Sequence, residues 1–202
     1  MIEPNIMPMF ATPLAEYSNP KLAQDLKEYI LKLNADGIES GVAKEVKHNL
    51  IESKFNFFSS EQDVIQNALE WIGECFKSTL NDLYGIDSKW RIYYNESWYH
   101  ITKTNGTHEH HRHPNCSWCG VFYVDPGDSE SGWTSFINPI HSTFIDDGNS
   151  FLNNTSFNVR PKKGNLILFP SYMAHYQKLY KGVEDRMVIA FNCMIHKEPS
   201  DA

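Results

Sequence analysis

The chain has 202 residues, 41% of them apolar and 21% charged, with a formal net charge of −7. That length suffices for one domain with a sizeable core and is short for two, and the composition excludes a disordered chain. Negative charge without a Lys/Arg block argues against nucleic acid as a partner, and no run is apolar for the roughly 18 residues of a membrane span. Four cysteines are too sparse for a secreted disulfide framework. Met1 to Phe10 has no positive stretch followed by a long apolar run, so no signal peptide is expected. Together these features predict a cytoplasmic protein.

Asn19-Pro20 opens a predicted helix whose apolar positions are Leu22, Leu26, Tyr29, Ile30 and Leu33, with Gly37 as its stop. A second helix is predicted to start at Ser59 or Ser60. Its apolar positions Val64, Ile65, Ala68, Leu69, Ile72, Phe76, Leu80 and Leu83 run at helical spacing to Gly85. After Lys89 the character changes. Arg91–Thr102, Val121–Val124, Trp133–Ile137, Leu166–Phe169 and Met187–Ile195 are strand candidates, separated by Gly, Pro, Asn and Asp turns. Strands at such intervals predict a sandwich or barrel. The expectation is a single α+β domain over 1–202. A mainly helical part, 1–88, packs on a double-stranded β-helix, the small jelly-roll core, over 89–197.

The stretch THEHHRHPN carries His108, His110, His111 and His113. Neutral imidazole is the commonest metal ligand in proteins. On a strand, residues i and i+2 share a face. His111 and His113 can therefore meet one ion, as can His108 and His110, and an unbroken strand would send the two pairs to opposite faces. Pro114-Asn115 follows His113 directly, which puts that pair at a strand end facing a cavity mouth. His108 or His110 replacing one of them stays open. A facial site needs a third ligand from a separate strand, and His175, just beyond the strand Asn165–Phe169 and its Pro170-Ser171 stop, is placed to supply it. Arg186 opens the strand Met187–Phe191. A guanidinium fork at the inner end of a barrel strand can take the far carboxylate of a dicarboxylate cofactor bidentately.

Three segments together resemble one family. They are His111-Arg112-His113-Pro114, Cys119-Gly120-Val121-Phe122-Tyr123-Val124, and Gly164…Phe169-Pro170-Ser171…His175…Arg186…Phe191-Asn192. They resemble the 2-oxoglutarate/Fe(II) oxygenase superfamily, in particular bacterial and phage members with a His-x-His-Pro motif. The likeness covers roughly 90–195, and Met7–Pro13 matches more loosely. The usual triad of the superfamily is His-x-Asp…His; His113 stands at the Asp position, which makes the site less anionic. The Ser or Thr often found two residues after the arginine is here Val188. The resemblance implies Fe(II) on His111, His113 and His175, with 2-oxoglutarate as cofactor and O2 as co-substrate. It implies Arg186 on the far carboxylate with help from a tyrosine; Tyr123 and Tyr99 are the candidates put first, with Tyr93 behind them. The reaction implied is hydroxylation of a small-molecule or peptidyl substrate, coupled to decarboxylation of 2-oxoglutarate to succinate and CO2. The oligomeric state is open.

Two other readings compete. A cupin-type metalloenzyme would use the same three histidines, but its first motif wants a Glu shortly after His113, where Ser117 and Trp118 stand. A non-catalytic jelly-roll module would keep a structural metal, closed by a fourth ligand such as His110 or Cys116. Cys116-Ser-Trp-Cys119 reads as a buried or idle thiol pair rather than a redox couple. Trp118 and Trp133 are expected in the core, or lining a groove. Asp125–Ser131 is a flexible-loop candidate.

Overall fold

The computed structural model describes residues 11–35, 49–85, 89–140, 146–152 and 154–198. Gly37, His48 and the Met7–Phe10 part of the loosely matching opening lie outside them.

Helix α1 spans Pro20–Ala35. Asn19 caps it: the Leu22 amide donates to Asn19 Oδ1 at 3.0 Å, and proline at the first helical position loses no hydrogen bond. Its buried stripe is Leu22, Ala23, Leu26, Ile30 and Leu33. Helix α2, Asp63–Tyr84, ends at Gly85, whose φ of 96° closes the last turn with an amide bond to Asn81 O. It starts later than Ser59–Ser60. The chain first makes a short 3-10 turn at Phe57–Ser59, where Phe57 packs edge-on against Tyr99 and Phe58 packs at a tilt against Phe191. Burial of those two rings delays the helix.

Among the described residues ten strands follow the expected jelly-roll plan: β1 Ala15–Ser18, β2 Leu50–Glu52, β3 Trp90–Thr102, β4 His108–His111, β5 Trp118–Asp125, β6 Thr134–Ile137, β7 Ser156–Val159, β8 Asn165–Pro170, β9 His175–Gln177 and β10 Arg186–Lys197. They form a six-stranded sheet ordered β1-β8-β5-β10-β3-β2 and a four-stranded sheet ordered β4-β9-β6-β7. All pairings between these strands are antiparallel. The N-terminal part is thus more than a helical cover, since β1 and β2 form both edges of the large sheet.

The large sheet is buried on both faces, and strand alternation sorts its residues. Tyr99, Ile101, Phe122, Val124, Leu166, Leu168, Met187, Ile189 and Phe191 face the helices. Cys119, Tyr123, Ile167, Phe169 and Val188 face the small sheet. By the same alternation Trp98, His100 and Thr102 on β3, and Arg186 and Asn192 on β10, look into the barrel. Trp118 falls on the helix side, edge-on to Phe76, so it packs the core and lines no groove.

Gly164 joins the turn before β8 to the start of α1. Its amide donates to Tyr123 O at 2.8 Å, and its carbonyl accepts from the Asn19 amide at 2.8 Å. Its φ is +82°, and an added Cβ would lie 2.5 Å from the backbone nitrogen of Pro20. Backbone cannot yield as a flexible side chain can. Gly164→Ala is expected to cost about 1–3 kcal/mol, read as a lower midpoint in thermal or urea unfolding with no change in metal binding.

Candidate active site

The histidine-bearing strand β4 pairs with β9 through His108↔Gln177 and His111↔His175, with a register shift between them. The step from 108 to 111 on one strand faces the step from 177 to 175 on the other, so β4 carries one extra residue, a bulge. This overturns the expected parity. His108 and His111 lie on the same side, ring centroids 4.3 Å apart, while His110 is exposed. His113 lies beyond the strand end, just before the turn in which Asn115 takes a φ of 59°. Its ring centroid sits 4.9 Å from that of His111 and 5.2 Å from that of His175.

His111, His113 and His175 form one group whose ligand atoms all lie within 4.8 Å of one another. Two of the rings have their tautomer set by the backbone. His111 Nδ1 contacts Glu109 O at 2.7 Å, and His175 Nδ1 contacts Met173 O at 2.9 Å. A carbonyl oxygen only accepts, so each Nδ1 carries the proton and each Nε2 keeps its lone pair for an ion. The two loops that carry the group are tied together: Ser171 Oγ donates to Cys116 O at 2.7 Å, and the Ser171 amide to Ser117 O at 3.0 Å. Burial, with the neighbouring histidine charge as a lesser cause, pushes His113 down to about 4. Burial, then His111, pushes His175 down to about 3. Both rings are therefore neutral at pH 7 and ready to ligate.

That shift has a sign for stability. Folded-state values below the unfolded value near 6.5 mean that the unfolded chain binds more protons between about pH 6.5 and 4. Stability is full above pH 6.5 and falls with pH through that window. Metal-free protein is expected to lose stability from pH 6.5 to 4, by up to ~1.4 kcal/mol per pH unit for each fully shifted ring, and its melting temperature falls with it. Differential scanning calorimetry checks it, and His175→Gln should flatten the slope.

The same cavity is lined by Trp98, His100, Thr134, Phe169, Gln177 and Arg186. Arg186 is only 1% exposed. Its Nη1 donates to Gln177 Oε1 at 2.7 Å, and Thr102 Oγ1 donates to the same oxygen at 3.1 Å. Arg186 Nε and Gln177 Nε2 are buried without a hydrogen-bond partner, and among the described residues no carboxylate pairs with the guanidinium. Burial lowers Arg186 to about 10, so the charge persists at neutral pH. A buried cation with open donors is costly unless a ligand completes it. The donors left over are the complement of a carboxylate, and the histidine group supplies three neutral nitrogens for an ion. The residues present therefore fit both an iron ion and 2-oxoglutarate.

Of the tyrosines, Tyr123 is brought to Arg186, whose Cζ lies 5.5 Å from the ring centre; its hydroxyl donates to Thr134 Oγ1 at 2.6 Å. Tyr99 is not brought there. It faces the helices, packs edge-on to Phe57 and accepts from Asn34 Nδ2 at 3.1 Å. Its neighbours in sequence, Trp98 and His100, take the barrel side instead. Tyr93 is exposed and lies against His196. Val188 lines the cavity two residues after Arg186 and offers no hydroxyl there. The Cys116 and Cys119 sulfurs are 3.9 Å apart and unbonded. The loop after β5 is pinned: the amides of Val183 and Glu184 donate to Asp128 Oδ1 at 2.9 and 3.2 Å, and Tyr180 Oη at 3.0 Å. Nothing local in the sequence marks Gln177, Thr134, Trp98 or His100 as lining this cavity. Only strand parity relative to Arg186 could have flagged them.

Residues 96–192 match the family model described as "Putative 2OG-Fe(II) oxygenase". No curated protein matches the chain in sequence. Several solved structures share the fold. A Pseudomonas putida prolyl-4-hydroxylase has 14% identity and a TM-score of 0.60, with 90% of this chain and 92% of that chain covered. HygX from Streptomyces hygroscopicus, with nickel and 2-oxoglutarate bound, has 10% identity and a TM-score of 0.62, covering 91% and 83%. The viral collagen prolyl hydroxylase of Paramecium Bursaria Chlorella virus-1, in its 2-oxoglutarate complex, has 12% identity and a TM-score of 0.54, covering 93% and 96%. The matched segment, just under half of the chain, contains all three histidines, Gln177 and Arg186, and in it the chain is similar to the 2-oxoglutarate/Fe(II) oxygenases.

Proposed function

We propose that this protein is a hydroxylase, dependent on Fe(II) and 2-oxoglutarate, in which His111, His113 and His175 would hold the iron and Arg186 the far carboxylate of 2-oxoglutarate. The observation that carries this is the buried guanidinium with an unpartnered Nε, in the same cavity as the three-histidine group. Gln177 Oε1 fixes the fork of Arg186, and its free amide hydrogens offer a further donor to the same carboxylate. The Nδ1 protons on His111 and His175 stay with the backbone, which holds each Nε2 in place. Trp98 and Phe169 wall the cavity and keep water from the reacting centre. When bound, iron and 2-oxoglutarate supply the oxidative chemistry: O2 is consumed, 2-oxoglutarate yields succinate and CO2, and a substrate C–H bond is hydroxylated.

Phe169 also borders an apolar hollow of about 370 Å3, lined by Leu14, Ile137, Phe157 and Met173. We place the apolar part of the substrate there. Prolyl hydroxylases and HygX with hygromycin B among the structural neighbours keep peptidyl and small-molecule substrates both in view. Four free cysteines fit a reducing cytoplasm, and no helix among the described residues is long and apolar enough to cross a membrane.

The test is an anaerobic titration with Fe(II), then 2-oxoglutarate, followed in the visible range. A charge-transfer band from iron to the keto acid is expected at one equivalent of each. Iron binding without the band would remove 2-oxoglutarate from the reading and leave the cupin-type metalloenzyme in front. No metal binding at all would remove the enzyme.

A further inference from the structure

We propose that Glu52, His100 and His108 form a second metal site, for a divalent transition ion such as Zn2+, beside the three-histidine group. Their donor atoms all lie within 4.8 Å of one another. Each comes from a different strand. Glu52 on β2 is in register with His100 on β3, and the bulge in β4 turns His108 toward them, its ring centroid 5.0 Å from that of His100. No residue of this second group belongs to the first.

The local hydrogen bonding calls for a positive centre. The indole N–H of Trp98 can only donate, and it meets His100 Nε2 at 3.0 Å. That contact requires a lone pair on Nε2. Glu52 Oε2, an acceptor when ionised, stands 2.7 Å from the same nitrogen. Two electron-rich atoms at that distance repel unless a cation lies between or beside them. A proton on Nε2 would satisfy Glu52 but would set a donor against the indole N–H. A metal ion on that lone pair would neutralise the Glu52 carboxylate and use the third donor as well, with the indole N–H turning aside from a nitrogen that no longer accepts.

Two imidazoles and one carboxylate suit Zn2+, Fe2+, Ni2+ or Cu2+ rather than Mg2+ or Ca2+, which prefer all-oxygen shells. Three ligands leave a position open for water. The His108 and His111 rings are 4.3 Å apart, so two bound dications would be close neighbours and repel. The carboxylate of Glu52 offsets part of that repulsion. The ions are therefore expected to load in sequence, the second more weakly.

The experiment uses untagged full-length protein, stripped of metal, loaded with excess Zn2+ and desalted, with metal per chain measured by mass spectrometry and by calorimetric titration. Co2+ serves as a visible probe of the same sites. Two ions per chain are expected for the wild type and one for Glu52→Gln. Glu52 is half-buried at a sheet edge, so this substitution should leave the fold intact, checked by circular dichroism. His175→Ala should keep one ion, and adding Glu52→Gln should remove it. One ion per wild-type chain, unchanged in Glu52→Gln, would overturn the proposal and leave Glu52 and His100 as a hydrogen-bonded pair. Two ions that survive Glu52→Gln would overturn it too, by placing the second ion elsewhere. The proposal does not depend on 2-oxoglutarate, so it and the charge-transfer test can fail separately.

Discussion

His175→Ala is expected to weaken Fe(II) binding by more than about 100-fold, since loss of a mere outer-shell partner already costs 10–100-fold in metal proteins. Formation of succinate should fall with it to the background rate. His175 is the one ligand in the proposed set that is fully buried, at 5% exposure, and it packs against both Phe136 and Phe169, with ring centroids 5.7 and 4.9 Å away. Alanine leaves a hole there as well as an open coordination position, at about 1–3 kcal/mol of stability. His175→Gln separates the two effects: it fills more of the space, melts nearer the wild type, and should still fail to hold iron. His110→Ala is the control. His110 lies in the same motif but is exposed, so iron binding should be unchanged. If His110→Ala behaved like His175→Ala, the ligand set would have to be redrawn.

The parts of this site that could be read from sequence share one feature: their signal is local. Asn19-Pro20 caps α1 through contacts within a turn. Gly85 ends α2 through its own φ. The long strands β3, β5, β8 and β10 announce themselves as aromatic or aliphatic runs closed by turn residues. Arg186 stands out as an arginine opening an apolar strand, and His175 as a lone histidine after a strand stop.

What was not legible depends on partners distant in sequence. The large sheet is buried on both faces, so its strands read as continuous apolar runs, and hydrophobicity does not say which face looks into the barrel. Nothing in the sequence therefore separates Tyr99 from Tyr123 as the tyrosine that the resemblance asks for. Pairing of Ile189 with Tyr99 puts both toward the helices, and the barrel side goes to His100 and Trp98. The histidine parity failed because one extra residue in β4 reverses the alternation between His108 and His111. A bulge is fixed by the opposing strand, β9, which has only three residues and no apolar pattern of its own. Gln177 ends that strand. Its role follows only from being carried next to Arg186, which nothing in its own neighbourhood foretells.

Arg186 offers a prediction in which stability and binding move in opposite directions. Arg186→Met should abolish 2-oxoglutarate binding yet leave the ligand-free protein as stable as the wild type or more so, by about 1–3 kcal/mol. In the ligand-free protein the guanidinium is buried with one hydrogen bond to Gln177, an unpartnered Nε and no carboxylate beside it among the described residues. An uncompensated buried charge is worth removing when a residue of similar length and no charge fills its place. Binding of 2-oxoglutarate reverses the balance, since its carboxylate would take the open donors, and charge-assisted bonds are worth about 1.5–3 kcal/mol each. Ligand at 100 times its dissociation constant should raise wild-type stability by about 2.7 kcal/mol, and this gain should vanish in Arg186→Met. Arg186→Lys is the finer test: it keeps the charge but not the planar fork. Loss of one such bond predicts roughly 10- to 150-fold weaker 2-oxoglutarate binding at unchanged Fe(II) affinity. Thermal melts with and without 2-oxoglutarate, in the presence of a fixed Fe(II) concentration under nitrogen, read both effects. If 2-oxoglutarate still stabilised Arg186→Met as it does the wild type, the guanidinium would not be its anchor. The strain of an unpaired charge in the barrel would then need another occupant.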